Sequence, residues 1–267
     1  MYDSIVIGLG PSGVSSAIYL KRFNLNILVI GLDNSSLNQD IYIDNYYGLN
    51  HIKGKDLFNQ GINQLKELNI NIIKEEVIGI DIEENHYVVK TNNNSFLTKT
   101  IYLGLGKPRT TKIKGAQALI GKGVSQCAIC DGFIYRNKKL AVIGNGSFSE
   151  SEYQVLLNFT KDITRFNNID EIKKQDKKLI VIKDNNTYEF DGVFLAEGIM
   201  DTSALSKHLG VIENELGYIE VNNQKETNLQ GIYSGGDAIG EPFQVVKAVE
   251  NGMMAAISIL NYLKKTK

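Results

Sequence analysis

Cysteine and histidine are scarce in this chain of 267 residues, which holds two of the first and three of the second. Two cysteines cannot build the disulfide framework of a small secreted domain. The histidines, His51, His86 and His208, are scattered without ligand spacing, so they do not assemble a metal site. An excess of charge is also missing: 29 Lys and Arg stand against 30 Asp and Glu, a formal net charge of -1. No global basic field argues for nucleic acid or an anionic membrane surface as a main ligand. No apolar run approaches a membrane span, and Met1-Tyr2-Asp3-Ser4-Ile5-Val6-Ile7-Gly8 has neither a basic n-region nor a small-residue cleavage site. The expectation is a soluble cytoplasmic protein without a membrane or nucleic-acid partner.

What is present is enough apolar material, 43% of residues, to bury a full core in one large or two modest domains. The first thirty residues carry the clearest pattern. Ser4 to Ile7 is a short apolar run, Gly8-Leu9-Gly10-Pro11-Ser12-Gly13 a turn, Val14 to Phe23 is helical in period, and Leu25 to Ile30 is a second apolar run. A G-x-G-x-x-G motif is weak alone, but following a strand and opening a helix it points to dinucleotide binding. Its glycines let the backbone approach a pyrophosphate, whose charge meets the free N–H groups of the helix start. Asp33, about twenty residues past Gly13, has the offset of a carboxylate that accepts a ribose hydroxyl.

Asp56 to Leu68 reads as an amphipathic helix, and Val77 to Glu83, Tyr87 to Thr91 and Ser95 to Leu103 as a meander of strands, whereas Asn34 to Asn50 has no clear period. Lys107 to Gly115 is basic and aperiodic and reads as a linker. From Leu140 the nucleotide pattern restarts: Leu140 to Ile143 as a strand, Gly144-Asn145-Gly146-Ser147 as a turn, Glu150 to Phe159 as a helix and Ile163 to Phe166 as a strand. The polar stretch Asn167 to Lys178 has too thin an apolar stripe for a second crossover helix. Leu179 to Lys183, an Asn185-Asn186 turn, Tyr188 to Phe190 and Val193 to Ala196 then read as strands. Ile232 to Ser234 is a last strand, Gly235-Gly236-Asp237 a tight turn and Gln244 to Leu263 a long helix, so the chain returns to complete its first domain. The fold expected is α/β with two Rossmann-like nucleotide-binding-type domains: a discontinuous one over 1–110 and 232–267, and a reduced inserted one over 115–230.

Both cysteines lie in Cys127-Ala128-Ile129-Cys130-Asp131-Gly132. Two intervening residues allow a reversible disulfide and suit thiolate attack and release. Half a zinc site is the competing reading, which lacks the other ligands that zinc wants.

These landmarks in this order resemble the thioredoxin reductase family of flavoproteins over nearly the whole chain. The carrying residues are Gly8-Leu9-Gly10-Pro11-Ser12-Gly13, Gly121 to Phe133 around the cysteines, and Gly231-Ile232-Tyr233-Ser234-Gly235-Gly236-Asp237 followed by Gln244. The resemblance implies an FAD domain built from both ends of the chain, a dithiol on the inserted domain, and a homodimer. It implies that Gly8, Gly10, Pro11, Ser12 and Gly13 hold the FAD pyrophosphate and that Asn45 lies near the flavin. Gly236 and Asp237 would serve the ribityl and phosphate region, and Gln244 and Val245 would start the helix facing the flavin pyrimidine. It further implies that Cys130 faces the flavin, Cys127 attacks the protein disulfide and Asp131 manages protons.

The second nucleotide unit departs from the family. Ser149 replaces the third glycine or alanine of the turn, and where the family usually shows His-Arg-Arg this chain has Thr164-Arg165-Phe166-Asn167-Asn168-Ile169-Asp170, without a clamp for a 2′-phosphate. That resembles the pyridine-nucleotide-independent branch, represented by ferredoxin-dependent flavin thioredoxin reductases, with a thioredoxin-like protein as substrate. An acidic ferredoxin would dock near Lys107, Arg109, Lys112 and Lys114. The alternatives are an NADPH- or NADH-dependent enzyme with a divergent site, in which Asp170 takes a ribose hydroxyl, a diflavin disulfide oxidoreductase, and a non-enzymatic thiol switch that keeps FAD as a structural ligand.

Overall fold

The computed structural model describes residues 1–33, 35–38, 41–84, 86–106, 111–126, 128–196 and 202–266, with the backbone alone at 129, 130, 147, 148, 202–204 and 207. Two compact units result, one of Met1–Pro108 with Leu205–Lys267 and one of Arg109–Ala204.

In the first unit Tyr2–Ile7 (β1), Pro11–Arg22 (α1) and Ile27–Ile30 (β2) form the expected βαβ, with β1 and β2 parallel. Ser4 to Ile7 and all of β2 are buried, as apolar runs must be in a parallel sheet covered on both faces. Tyr42–Ile43 (β3) and Ile52–Lys53 (β4) form a small antiparallel ribbon in the stretch that has no legible period. Gly54–Glu67 (α2) buries Phe58, Ile62 and Leu65 along one stripe. Both helices run into an asparagine of positive φ, Asn24 at 61° and Asn69 at 52°, the left-handed stop that glycine more often supplies. Asn71–Ile73 (β5) joins the sheet edge, and Val77–Glu83 (β6), His86–Thr91 (β7) and Ser95–Leu103 (β8) make the predicted meander.

The second unit holds Val124–Ser125 (β9), the short helix Ala128–Asp131 (α3), Leu140–Ile143 (β10), Gly146–Leu156 (α4) and Ile163–Phe166 (β11). Glu171–Gln175 (β12), Lys178–Lys183 (β13), Asn186–Phe190 (β14) and Gly192–Leu195 (β15) follow. Its parallel sheet runs β11-β10-β15-β9, while β12, β13 and β14 form a separate antiparallel sheet. That meander stands where a full mononucleotide-binding half has its second crossover helix. A strand needs only alternate residues for its apolar face, so Ile172, buried opposite Val181, suffices to dock β12 where a helix stripe would fail. The hairpin between β13 and β14 turns at Asp184 and Asn185, φ 49° and 61°, one residue before the expected Asn185-Asn186.

Thr202–Leu209 (α5), Ile232–Ser234 (β16) and Val245–Lys265 (α6) complete the chain. β16 pairs in parallel with β8, Ile232 opposite Ile101, in a seven-stranded sheet whose main path is β5-β2-β1-β8-β7-β6. The segment 205–230, which the sequence assigns to the inserted domain, sits instead with the first unit. Backbone bonds tie it to β16 and the turn after it: Thr227 N donates to Ile232 O at 3.0 Å, Ser234 N to Lys225 O at 3.0 Å and Ile219 N to Ala238 O at 2.9 Å. Among the described residues no helix is long and apolar enough to cross a membrane.

Candidate functional site

The glycine turn of the first unit is shaped by backbone crowding. Gly8 has φ +113°, and a Cβ there would stand 2.1 Å from Gly104 O; one on Gly13 would stand 2.0 Å from Gly8 O. Those two glycines let β1, β8 and α1 close on one another. Gly10 differs, because the nearest atom to a Cβ there is Ser35 Oγ at 3.9 Å, so the space in front of its backbone is open. α1 begins at Pro11 without a side-chain cap or an acidic residue in its first turn. An open approach to an uncapped helix start suits a pyrophosphate.

The far end of the chain is drawn onto this turn. Gly236 has φ +71°, and a Cβ on it would stand 2.7 Å from Ser12 Oγ. Asn251, buried on α6, accepts the Gly236 N–H at 3.1 Å, and Ser15 Oγ donates to Val249 O at 2.7 Å. Asp237 is thereby placed in the turn beside α1. Lys247 on the first turn of α6 donates to the carbonyls of Gly236 and Gly240. Burial holds its ammonium below the ordinary lysine range, against the pull of the Asp237 carboxylate. Asn45 and Gln244, 199 positions apart, meet directly, Asn45 Nδ2 donating to Gln244 Oε1 at 2.8 Å. A cleft of about 390 Å³ opens beside them, with Leu9, Pro11, Tyr46 and Val245 in its wall. Asp33 lies past the end of β2 and is engaged by Lys74, Nζ to Oδ2 2.6 Å, with both side chains about half exposed.

In the second unit Cys127 lies outside the described residues, and Cys130 is described by its backbone alone, in α3. Ser125, buried at the end of β9, donates from Oγ to Asp131 Oδ2 at 2.6 Å. The Ala128 N–H donates to Glu152 Oε2 at 2.5 Å. Gly132 admits Phe159, whose ring would lie 2.8 Å from a Cβ there. Tyr135 packs edge-on to Phe194 at 5.5 Å, and burial, then the Asp131 charge, raises its hydroxyl above the usual tyrosine range. Phe133 and Ile134, by contrast, are exposed at 62% and 59%.

The second glycine turn keeps its backbone, with Gly144 at φ +149° and Gly146 at φ +77°, and buries Ser149 in the helix. Arg165, the arginine at the end of β11, is already spoken for. Its Nη1 donates to Glu150 Oε2 at 2.6 Å and its guanidinium lies 4.8 Å over the Tyr153 ring. Hydrogen bonds from Gln154, then Arg165, hold the Glu150 carboxyl below the usual range. Asp170 accepts the Asp184 N–H at 2.9 Å and so caps the β13–β14 turn. Of the basic segment, Lys107 and Arg109 lie outside the described residues, and Lys114 pairs with Glu171 at 3.3 Å.

The structure thus joins Gly8, Gly13, Ser12 and Gly236 in one cradle and Asn45 with Gln244 beside it. Glu152, Asn251 and Lys247 have no motif to announce them, and Ser125 lies in the cysteine motif without being singled out there. Ser125 precedes Cys127 by two positions, but Glu152 is 24 residues from Ala128, and only the packing of α4 on α3 reveals it.

Residues 2–164 and 162–252 match the pyridine nucleotide-disulphide oxidoreductase family. The thioredoxin reductase of Ureaplasma parvum serovar 3 is 27% identical over 303 residues, covering 99% of this chain and 98% of that protein. Among solved structures, the atypical thioredoxin reductase TRi of Desulfovibrio vulgaris Hildenborough superposes with a TM-score of 0.87 at 26% identity, covering 99% of each chain. A ferredoxin-flavin thioredoxin reductase of Clostridium acetobutylicum gives 0.79 at 27% identity, covering 99% of this chain and 98% of that one.

Proposed function

This chain belongs to the pyridine nucleotide-disulphide oxidoreductase family, and we propose that it carries electrons from reduced ferredoxin through FAD to the Cys127–Cys130 pair and on to thioredoxin or a similar protein disulfide. It is a thioredoxin reductase-like flavin disulfide oxidoreductase, and FAD is its cofactor. The first unit fits that group: the open face of Gly10 and the uncapped start of α1 take the pyrophosphate, Asp237 takes the ribityl and phosphate region, and Asn45, Gln244 and Val245 flank the flavin ring. Asp33 would reach the ribose only by leaving Lys74. Bound there, FAD can exchange one electron at a time on one side and a pair on the other.

The observation that carries the choice of donor is the state of Arg165. A 2′-phosphate wants a free guanidinium fork, and Arg165 is bound to Glu150 and stacked on Tyr153. Asp170, the residue an NADH reading would use, already caps a turn with its carboxylate. The energetics favour a ferredoxin: a plant-type ferredoxin near about -400 mV and thioredoxin near about -270 mV differ by ~130 mV, or roughly 6 kcal/mol for two electrons.

On the substrate side the Cys127 thiolate attacks one sulfur of the partner disulfide, and the other sulfur leaves as a thiolate that takes up a proton. Cys130, deprotonated in turn, displaces the partner from the mixed disulfide. The partner gains two electrons and two protons and the chain is left with a Cys127–Cys130 disulfide. Asp131, oriented by Ser125, is the group placed to hold and return the proton. The exposed Phe133 and Ile134, directly after the dithiol motif, offer the apolar contact for a protein substrate.

Anaerobic mixing of the yellow holoprotein with NADPH, NADH and reduced ferredoxin in turn tests the donor. Bleaching of the flavin absorbance within seconds by ferredoxin, and at least about 100-fold more slowly by either nucleotide, is expected. Fast bleaching by a nucleotide would overturn the donor assignment. Phe133→Asp is expected to raise KM for the protein disulfide roughly tenfold, about 1.4 kcal/mol, while a small aromatic disulfide is reduced at the unchanged rate. An equal loss with both substrates would remove Phe133 from the docking surface.

A further inference from the structure

Glu152 is a carboxylate on α4 only 6% exposed. Its Oε2 accepts the Ala128 N–H at 2.5 Å. Ala128 is itself fully buried, packed with Leu140, Val142, Leu156 and Phe194. That amide is the peptide bond joining Ala128 to Cys127, so Glu152 grips the dithiol turn between its two cysteines. Removing a carboxylate from water costs several kcal/mol, and an isosteric apolar residue would fill the same space without that cost. The other ionisable groups of α4 are turned to different work: Glu150 and Tyr153 hold Arg165 of β11. Glu152 instead bonds the turn that carries the cysteines.

We propose that Glu152 is a positioning residue of the redox pair, which fixes the Ala128 amide and sets a negative charge against the cysteine turn so that the reduced pair is a stronger reductant. The proposal rests on the reading of Cys127 and Cys130 as the redox centre. Two effects act in the same direction. An N–H already bonded to a carboxylate gives little of its dipole to a neighbouring sulfur, and a nearby carboxylate repels a thiolate. Destabilising the thiolate destabilises the reduced form and lowers the reduction potential, the opposite of the strongly oxidising dithiols whose reduced form is stabilised. Among the described residues, the other titratable groups on this turn are Asp131 on α3, held by Ser125, and Tyr135 after it, whose hydroxyl is held to Gly123 O at 3.3 Å. Glu152 differs from both in bonding to the backbone of the turn itself.

Glu152→Gln keeps an oxygen that can accept the Ala128 N–H, at nearly the same volume, and removes the charge. With the holoprotein reduced by dithiothreitol, iodoacetamide alkylation followed against pH should shift about one unit lower in Glu152→Gln, a roughly tenfold rise in thiol ionisation. The equilibrium with a dithiothreitol redox buffer should move about tenfold toward the dithiol, or about 30 mV less negative. Glu152→Asp, which retains the charge, should stay near the original profile, and Glu150→Gln should move neither readout. A Glu152→Gln protein that titrates and equilibrates like the original overturns the proposal. Should Glu152→Gln not fold, a Glu152→Asp protein with the one-unit shift of a lost charge would overturn it equally. If instead the original protein yields no pair of alkylatable thiols on reduction, the redox-centre reading itself fails, and the two failures are told apart.

Discussion

Cys127→Ser and Cys130→Ser should each lower the rate of protein-disulfide reduction by at least about 1000-fold, the scale on which loss of a covalent nucleophile is felt. A serine oxygen can neither form the mixed disulfide nor close the internal one, so Cys127→Ser loses the first half of the exchange and Cys130→Ser the second. The two variants differ in what remains. In Cys130→Ser the attacking sulfur is intact, and the protein should be trapped as a stable mixed disulfide with its partner, visible by non-reducing electrophoresis. In Cys127→Ser the trap should be absent. Both should stay yellow, because the residues proposed to hold FAD belong to the first unit and the cysteines to the second. A trap formed by Cys127→Ser and not by Cys130→Ser would reverse the roles of the two thiols. Unchanged turnover in either would remove the dithiol from the reaction.

The second large effect separates two glycines of one motif. Gly13→Ala should destabilise the protein by roughly 3 kcal/mol or more, because its Cβ would stand 2.0 Å from Gly8 O, a backbone atom that cannot yield without parting α1 from β1. For a chain of this size that lowers Tm by about 6–12 °C, read by calorimetry, and FAD is lost with the loop. Gly10→Ala should leave the Tm of the flavin-free protein within about 1 °C, since the nearest atom of the chain is 3.9 Å from the new carbon. It should nevertheless weaken FAD binding by at least about 100-fold, because the new methyl occupies the approach of the pyrophosphate. Equilibrium titration with FAD measures it. Equal stability losses for the two variants would mean that the open face of Gly10 is not the cofactor's approach.

The βαβ at the start of the chain and the return of its last strand and helix are legible in the residues themselves, since apolar runs and glycine turns are local signals of local geometry. Ser4 to Ile7, Ile27 to Ile30 and Ile232 to Ser234 are buried strands where those runs occur. The missing crossover helix is legible too, in the thin apolar stripe of Asn167 to Lys178. What replaces it is not, because β12 carries one fully buried apolar residue, Ile172, and becomes a strand through its pairing with β13. The place of 205–230 is equally hidden, since the hydrogen bonds that tie it to the first unit run to β16 and the following turn, such as Thr227 N to Ile232 O and Ile219 N to Ala238 O.

The chemistry divides along the same line. The residue types alone determine that there is a glycine turn of the dinucleotide-binding pattern at Gly8 to Gly13, a close-spaced cysteine pair at Cys127 and Cys130, and a second such unit without an arginine cluster. They do so because a tight turn, a reversible disulfide and a phosphate clamp each demand particular side chains at short spacing. Only the tertiary structure decides that Arg165 is taken by Glu150, that Asp33 is taken by Lys74, that Asn45 meets Gln244, and that Glu152 reaches the amide beside Cys127. Those pairings span 15 to 199 positions. A side chain's partner over such distances is set by how helices and strands pack, which no local pattern encodes.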